Sequence, residues 1–223
     1  MDWQALRSRF LVFDGPDGGG KSTALMPFAA RAHAEGLPVC QVREPGGTGV
    51  GEKIRDLLLH LDEAEHGVIE PATEVLLFMA SRAQLVRQVI RPALQDGALV
   101  LADRFIASTL AYQGTAGGVS TSQIRRVAEV ALDGVWPDLT LVFDVDPQTA
   151  AKRLSPLLDR MEAKGEAYHE RVRRGFLQQA MEDPQRFAVV DASADVASVR
   201  AQVDQAIATA AARWSHQQPM ASA

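Results

Sequence analysis

Eight consecutive residues, Gly15-Pro16-Asp17-Gly18-Gly19-Gly20-Lys21-Ser22, constrain this chain more than anything else in it. They fit the spacing G-x-x-x-x-G-K-[ST], with the apolar run Phe10–Phe13 in front and a helical pattern behind. At average residue frequencies, chance yields such an octet in about one chain in a hundred of this length. The octet is built to cradle phosphate. Its glycines let the main chain wrap closely, so that successive N–H groups point at phosphate oxygens. The N-terminus of the following helix adds its positive end. Lys21 reaches the terminal phosphates, and the Ser22 hydroxyl is suited to ligate Mg²⁺. The glycine-rich run Gly46–Gly51 does not compete, because Glu52 stands where a dinucleotide loop needs its last glycine.

Around that loop the chain alternates short apolar runs with longer helical spacings. The runs Phe10–Asp14, Pro38–Val42, Ala98–Ala102, Leu139–Phe143 and Phe187–Val190 read as strands buried on both faces. Helical spacing covers Ser22–Glu35, Gly51–Leu59, Glu70–Arg91, Phe105–Gln113, Thr121–Leu132, Gln148–Leu154, Glu166–Met181 and Val196–Trp214. Pro71 suits a first helical turn, and Pro92 suits the position just past a helix end. The expected fold is therefore α/β: a parallel five-stranded sheet wrapped by helices in three layers. One domain over 1–215 is expected, with a frayed tail over 216–223 and a polar lid over about 155–165.

Composition narrows the partners. With 23 basic against 28 acidic residues the net charge is −5, which argues against a nucleic-acid partner and leaves room for a small anion in a local basic pocket. No apolar stretch approaches the ~20 residues that span a bilayer, so no membrane is expected. The N-terminus lacks the layout of a signal peptide, so a cytoplasmic protein is expected. The single cysteine, Cys40, allows no internal disulfide and no cysteine-rich zinc site. The chain has no asparagine, which removes the protein-kinase catalytic loop. The histidines, at 33, 60, 66, 169 and 216, are scattered and read as surface residues.

A phosphate cradle does not say what receives the phosphate. Three further groupings bear on that. Arg43-Glu44-Pro45-Gly46-Gly47-Thr48 follows the second strand, where a ligand crevice forms at the carboxyl edge. Asp103-Arg104 follows the third strand, where an acid can hold Mg²⁺ and the arginine can bridge two phosphates. Phe78 and Arg82 stand four apart on one helix face. An aromatic plane beside a fork of N–H donors suits a nucleobase, although spacing alone favours a core role for Phe78.

The segments FDGPDGGGKST, REPGGT, FMASRAQ, DRFIASTLAYQG, PDLTLVFDV and LDRMEAKGEAYHERVRRGF, in this order from about residue 10 to about residue 190, together resemble the bacterial thymidylate kinases. That resemblance implies transfer of the γ-phosphoryl of Mg-ATP to dTMP by a homodimer of P-loop kinase subunits. It implies that Gly15, Pro16, Asp17, Gly18, Gly19, Gly20, Lys21, Ser22 and Thr23 bind ATP. It assigns Asp17, Arg43, Phe78, Arg82, Arg104, Ser108, Tyr112 and Gln113 to dTMP, with Phe78 stacked on thymine and Tyr112 guarding against a 2′-hydroxyl. Lys21, Arg104, Arg160 and Asp14 become the expected catalytic groups, Arg160 from the lid. Asp14 stands where family members usually carry Glu. Ser22 and Asp103 become the Mg²⁺ ligands. Two other readings remain open: another P-loop nucleoside monophosphate or deoxynucleoside kinase, and a nucleotide-dependent switch without a small acceptor.

Overall fold

A computed structural model describes residues 1–153 and 160–216. Five strands, β1 (Phe10–Asp14), β2 (Val39–Arg43), β3 (Leu99–Asp103), β4 (Leu139–Asp144) and β5 (Phe187–Asp191), pair in parallel in the order β2-β3-β1-β4-β5. Each predicted strand is found, within one residue at its ends. The helices that frame the site are α1 (Lys21–Ala34), α2 (Gly49–His60), α3 (Pro71–Leu85), α4 (Ile106–Thr109), α5 (Thr121–Leu132), α6 (Pro147–Ala151), α7 (Glu166–Glu182) and α8 (Val196–His216), and a further short helix spans Glu63–His66. None of the described helices is long and apolar enough to cross a membrane.

The sheet explains why its central strands read as unbroken apolar runs, while the edge strands β2 and β5 are only partly buried, because among the described residues no strand covers their outer edge. Every residue of β1 is buried. Successive side chains point to opposite faces, so Leu11 and Phe13 pack with Phe28 of α1 and Ile207 of α8. Phe10 and Val12 pack with Met79 of α3 and Ile124 of α5 on the other face. The register places Phe13 beside Asp103, and Asp103 beside Arg43. Three strand ends thus deliver their polar residues to one edge, the expected position of a ligand crevice.

Local chemistry sets the helix starts. Thr48 caps α2 by accepting from Gly51 N at 2.9 Å, and Asp146 caps α6 by accepting from Thr149 N at 2.9 Å. Two helices depart from the sequence reading. Beyond Leu85, α3 widens into a π-turn over Val86–Ile90 and resumes over Arg91–Gln95, so Pro92 lies inside the helical path. The wider turn carries the Arg91 N–H back to the Val86 carbonyl, five residues away. Likewise α4 widens over Leu110–Ala116, the stretch that carries Tyr112 and Gln113. The expected lid lies outside the described residues over 155–159. Its remainder forms a single 3₁₀ turn, Glu162–Lys164, leading to Gly165 and α7.

Candidate active site

The site starts where β1 ends. Gly15 turns at φ +131°, and a Cβ there would meet the Phe143 carbonyl oxygen at 2.6 Å. Gly18, at φ +73°, is pressed against Ala150 of α6 in the same way, with its missing Cβ 2.5 Å from the Ala150 carbonyl oxygen. The loop therefore packs on β4 and α6 along one side. At Gly20 no atom lies within 4 Å of where a Cβ would stand, and α1 begins at the next residue. Its first N–H groups and the positive end of its dipole are available to an anion there. Lys21 Nζ curls back to donate to the carbonyls of Pro16 at 2.8 Å and Gly15 at 3.3 Å. Burial, joined by the Arg104 cation, pulls its pKa down to about 8 against the pull of Asp17, Asp103 and Asp14.

Ser22 Oγ donates to Asp103 Oδ2 at 2.6 Å, joining residues 81 apart in the chain. Among the described residues, no group of three or more His, Cys, Asp or Glu gathers into a metal cage. One hydroxyl and one carboxylate beside a phosphate cradle are what Mg²⁺ asks of a protein, because water and phosphate complete its shell. The residues present fit that ion.

Arg104 ties this loop to a second cavity. Its Nη1 donates to Gly15 O at 3.0 Å and Ser108 Oγ at 2.9 Å, its Nη2 pairs with Asp17, and the guanidinium lies 5.3 Å over the Tyr112 ring. The Tyr112 hydroxyl donates to Asp17 Oδ2 at 2.6 Å. Burial pushes Asp17 upward, but Arg104, Lys21 and Tyr112 together outweigh it and hold the carboxyl at about 2. The cavity shares Asp17, Arg104, Ser108 and Tyr112 with this cluster and runs on to Phe78, Arg82 and Gln113. Arg82, 1 % exposed, forks onto Glu44: Nε to Oε2 at 2.8 Å and Nη2 to Oε2 at 2.5 Å. Thr109 Oγ1 accepts from Nη2 at 3.2 Å. Of the three guanidinium nitrogens, only Nη1 has no oxygen partner among the described residues; it contacts Met79 Sδ at 3.3 Å. Burial raises Glu44 to about 7 although Arg82 opposes it.

Three expected residues land elsewhere. Arg43 does not line the cavity; its side chain is 59 % exposed and pairs with Glu52 at 3.2 Å. Neighbouring side chains leave a strand in opposite directions, so Glu44 turns inward where Arg43 turns out. Asp14 is fully buried and accepts from Gly15 N, Phe105 N, Ser108 N and Ser108 Oγ at 2.6–3.2 Å. Its four donors make it an anchor for the β1 and β3 ends rather than a group facing the cavity. Arg160 pairs with Glu74 at 2.6 Å and Glu63 at 3.1 Å and donates to Leu58 O. Its partners among the described residues all lie away from the phosphate loop: two carboxylates distant in sequence, Glu63 and Glu74, hold it there.

The structure adds residues that the sequence reading did not single out. Arg55 of α2 lines the same cavity as Phe78 and Arg82 and donates to Pro45 O at 2.8 Å. Arg153 donates to Ala192 O at 2.9 Å and lines a cavity on the other flank of the loop, beside Gly20, Thr23 and Arg200. His169 is half-buried, approaches Glu162 O at 3.0 Å and faces a third cavity with Pro16 and Asp17, so it is not the surface residue expected. Arg173, partly exposed, pairs with Asp144 at 2.6 Å. Local spacing gave no signal for Arg153 or Arg173, whose partners lie 39 and 29 residues away in the chain.

Comparison with known proteins agrees with this geometry. The thymidylate kinase family profile matches residues 13–203. A thymidylate kinase of Exiguobacterium is 43 % identical over 87 % of this chain and 91 % of its own length. That of Deinococcus radiodurans is 46 % identical over 82 % of this chain and 88 % of its own. The crystal structure of thymidylate kinase from Ehrlichia chaffeensis superposes with a TM-score of 0.72 at 31 % identity, covering 89 % of this chain and 98 % of that one. A phosphate loop joined through one arginine to a base-sized cavity, a matching profile over most of the chain and close relatives all agree: the chain belongs to the thymidylate kinase family of phosphotransferases.

Proposed function

We propose that the chain carries out the family reaction, transfer of the γ-phosphoryl of ATP to dTMP, with the groups described above. The observation that carries this reading is Arg104, a single guanidinium bonded both to the phosphate loop at Gly15 and to the cavity wall at Asp17 and Ser108. Two nucleotides laid phosphate to phosphate would meet at that side chain. ATP phosphates sit over Gly15–Ser22, and the donor base reaches the cavity of Thr23 and Arg153. Thymine sits against Phe78, with Nη1 of Arg82 donating to a carbonyl and Gln113 at its edge. Asp17 and Tyr112 face the sugar.

Phosphoryl transfer asks for positioning and charge neutralisation more than for covalent help. The attacking atom is already a phosphate oxyanion, so no strong base is needed. Lys21 and Arg104 are the cations we place on the transferring group; Arg160 is left to the acceptor side. Mg²⁺, held by Ser22 and through water by Asp103, would neutralise the donor phosphates. A homodimer is proposed through exposed apolar side chains such as Leu76 of α3 and Val130 of α5. We place the enzyme in the cytoplasm, where ATP and nucleotide acceptors are found.

An ADP-release assay over a panel of acceptors tests the reading. We expect dTMP to be preferred. The uracil analogue lacks one methyl and should be about 10- to 200-fold poorer, yet still a substrate. The ribose counterpart of dTMP should be rejected more strongly, because its 2′-hydroxyl meets Tyr112 and Asp17. ATP hydrolysis indifferent to every acceptor would instead support a switch.

Lys21 makes ATP binding pH-dependent. Its pKa of about 8 applies without nucleotide. Bound phosphates favour the charged ammonium, so binding takes up a proton once the pH exceeds that value. The ATP KM should be flat below pH ~8 and rise by up to about tenfold per unit above it. A KM profile flat well beyond that point would remove Lys21 from the phosphates.

A further inference from the structure

Glu74 of α3 is a buried carboxylate, 3 % exposed, that the proposed chemistry does not use. It stands behind the cavity wall, not on it. Its Oε2 accepts from Gln113 Nε2 at 3.0 Å, while Oε1 meets Arg160 Nη2 at 2.6 Å and Lys164 Nζ at 3.5 Å. A carboxylate held between two cations offers acceptors only. Gln113 must therefore turn its NH₂ toward Glu74, which fixes the orientation of a group that could otherwise flip. Gln113 is 2 % exposed, and its Oε1 accepts no hydrogen bond from the described residues. Since Gln113 lines the cavity, that oxygen is presented there as an acceptor.

The cavity thus carries a donor, Arg82 Nη1, and an acceptor, Gln113 Oε1. A pyrimidine with a carbonyl at C4 and a proton on N3 satisfies both. Cytosine presents the reverse, an amino group and a bare ring nitrogen. We propose that Glu74 is a positioning residue that sets base selectivity by locking the Gln113 carboxamide, and that Arg160 and Lys164 serve by keeping Glu74 an acceptor. This rests on the dTMP reading above.

The test is Glu74→Gln, which keeps the shape but replaces one acceptor atom with a donor. Arg160 and Lys164 donate only, so they hold the new side chain's oxygen and leave its NH₂ facing Gln113, which then turns its own NH₂ into the cavity. For dTMP the acceptor to N3–H is lost, and its kcat/KM should fall about tenfold or more. For dCMP a donor to its ring nitrogen becomes available, and its kcat/KM should rise at least about tenfold, with the ATP KM unchanged. A purely structural role would lower both acceptors together, so dCMP gaining nothing overturns the proposal. A parent enzyme inert toward dTMP but active on another acceptor overturns the functional reading instead. Should the variant not fold, the side-chain amide resonances of Gln113 in the parent enzyme decide. An NH₂ protected from exchange both with and without dTMP supports the lock, and one that exchanges freely without nucleotide overturns it.

Discussion

Arg104→Ala is expected to lower turnover of dTMP by about three orders of magnitude, the scale on which a charge-neutralising arginine acts in phosphoryl transfer. Four contacts hold this side chain: Gly15 O, Ser108 Oγ, Asp17 and the face of Tyr112. Its backbone sits at φ +70°, a region non-glycine residues avoid, and its N–H bonds Phe13 O at 3.0 Å. That placement holds the side chain where the phosphate loop meets the neighbouring cavity. Without the guanidinium, burial dominates Asp17 and its pKa climbs from about 2. Lys21 supplies a second signature. Arg104 is among the influences that hold Lys21 down to about 8, so removing it must raise the Lys21 pKa. The rise in ATP KM should then begin at higher pH while kcat collapses, and a merely unfolded fraction would produce no such shift. Arg104→Lys should not restore turnover, because a compact ammonium cannot span the same four partners. Steady-state kinetics across pH read both effects; a kcat within about tenfold of the parent would sink the assignment.

What could be read beforehand follows the range over which each feature is encoded. The phosphate loop was legible because its backbone geometry resides in eight contiguous residues. The meeting of Ser22 with Asp103 was legible too, since parallel topology sends both to the carboxyl edge of the sheet. Pairings across the chain were not. The spacing aims Arg82 at a base, but it gives no sign that Glu44, 38 residues earlier, takes two of its nitrogens. Nothing in the local spacing of Glu74 or Glu63 announces that they will claim Arg160. The π-widened stretch over Leu110–Ala116 was hidden for another reason: its residues keep an ordinary apolar spacing, and only the packing shows that the extra residue per turn lets Tyr112 and Gln113 both be buried.

The pairing of Arg82 with Glu44 leads to the other large effect. Arg82→Met should destabilise the fold by about 3–5 kcal/mol, because it strands a buried carboxyl without its counter-ion. That is a large share of the ~5–15 kcal/mol that holds a typical domain together. The deficit should depend on pH, and its sign follows from Glu44. Burial sets the folded pKa at about 7, above the ordinary 4.5. A raised acid favours the folded state fully below the ordinary value and loses that contribution as the pH rises through the folded one. Removing Arg82, which opposes the rise, lifts the folded pKa further. The variant should therefore sit closest to the parent near pH ~4.5 and fall furthest behind above pH ~7, as urea unfolding at the two ends would show. Adding Glu44→Leu separates fold from function. Replacing both partners with apolar groups of similar bulk should return most of the stability. The donor to the base carbonyl stays lost, however, so kcat/KM for dTMP should remain about 10- to 100-fold low. Recovery of activity together with stability would mean that Arg82 serves the core and does not read the base.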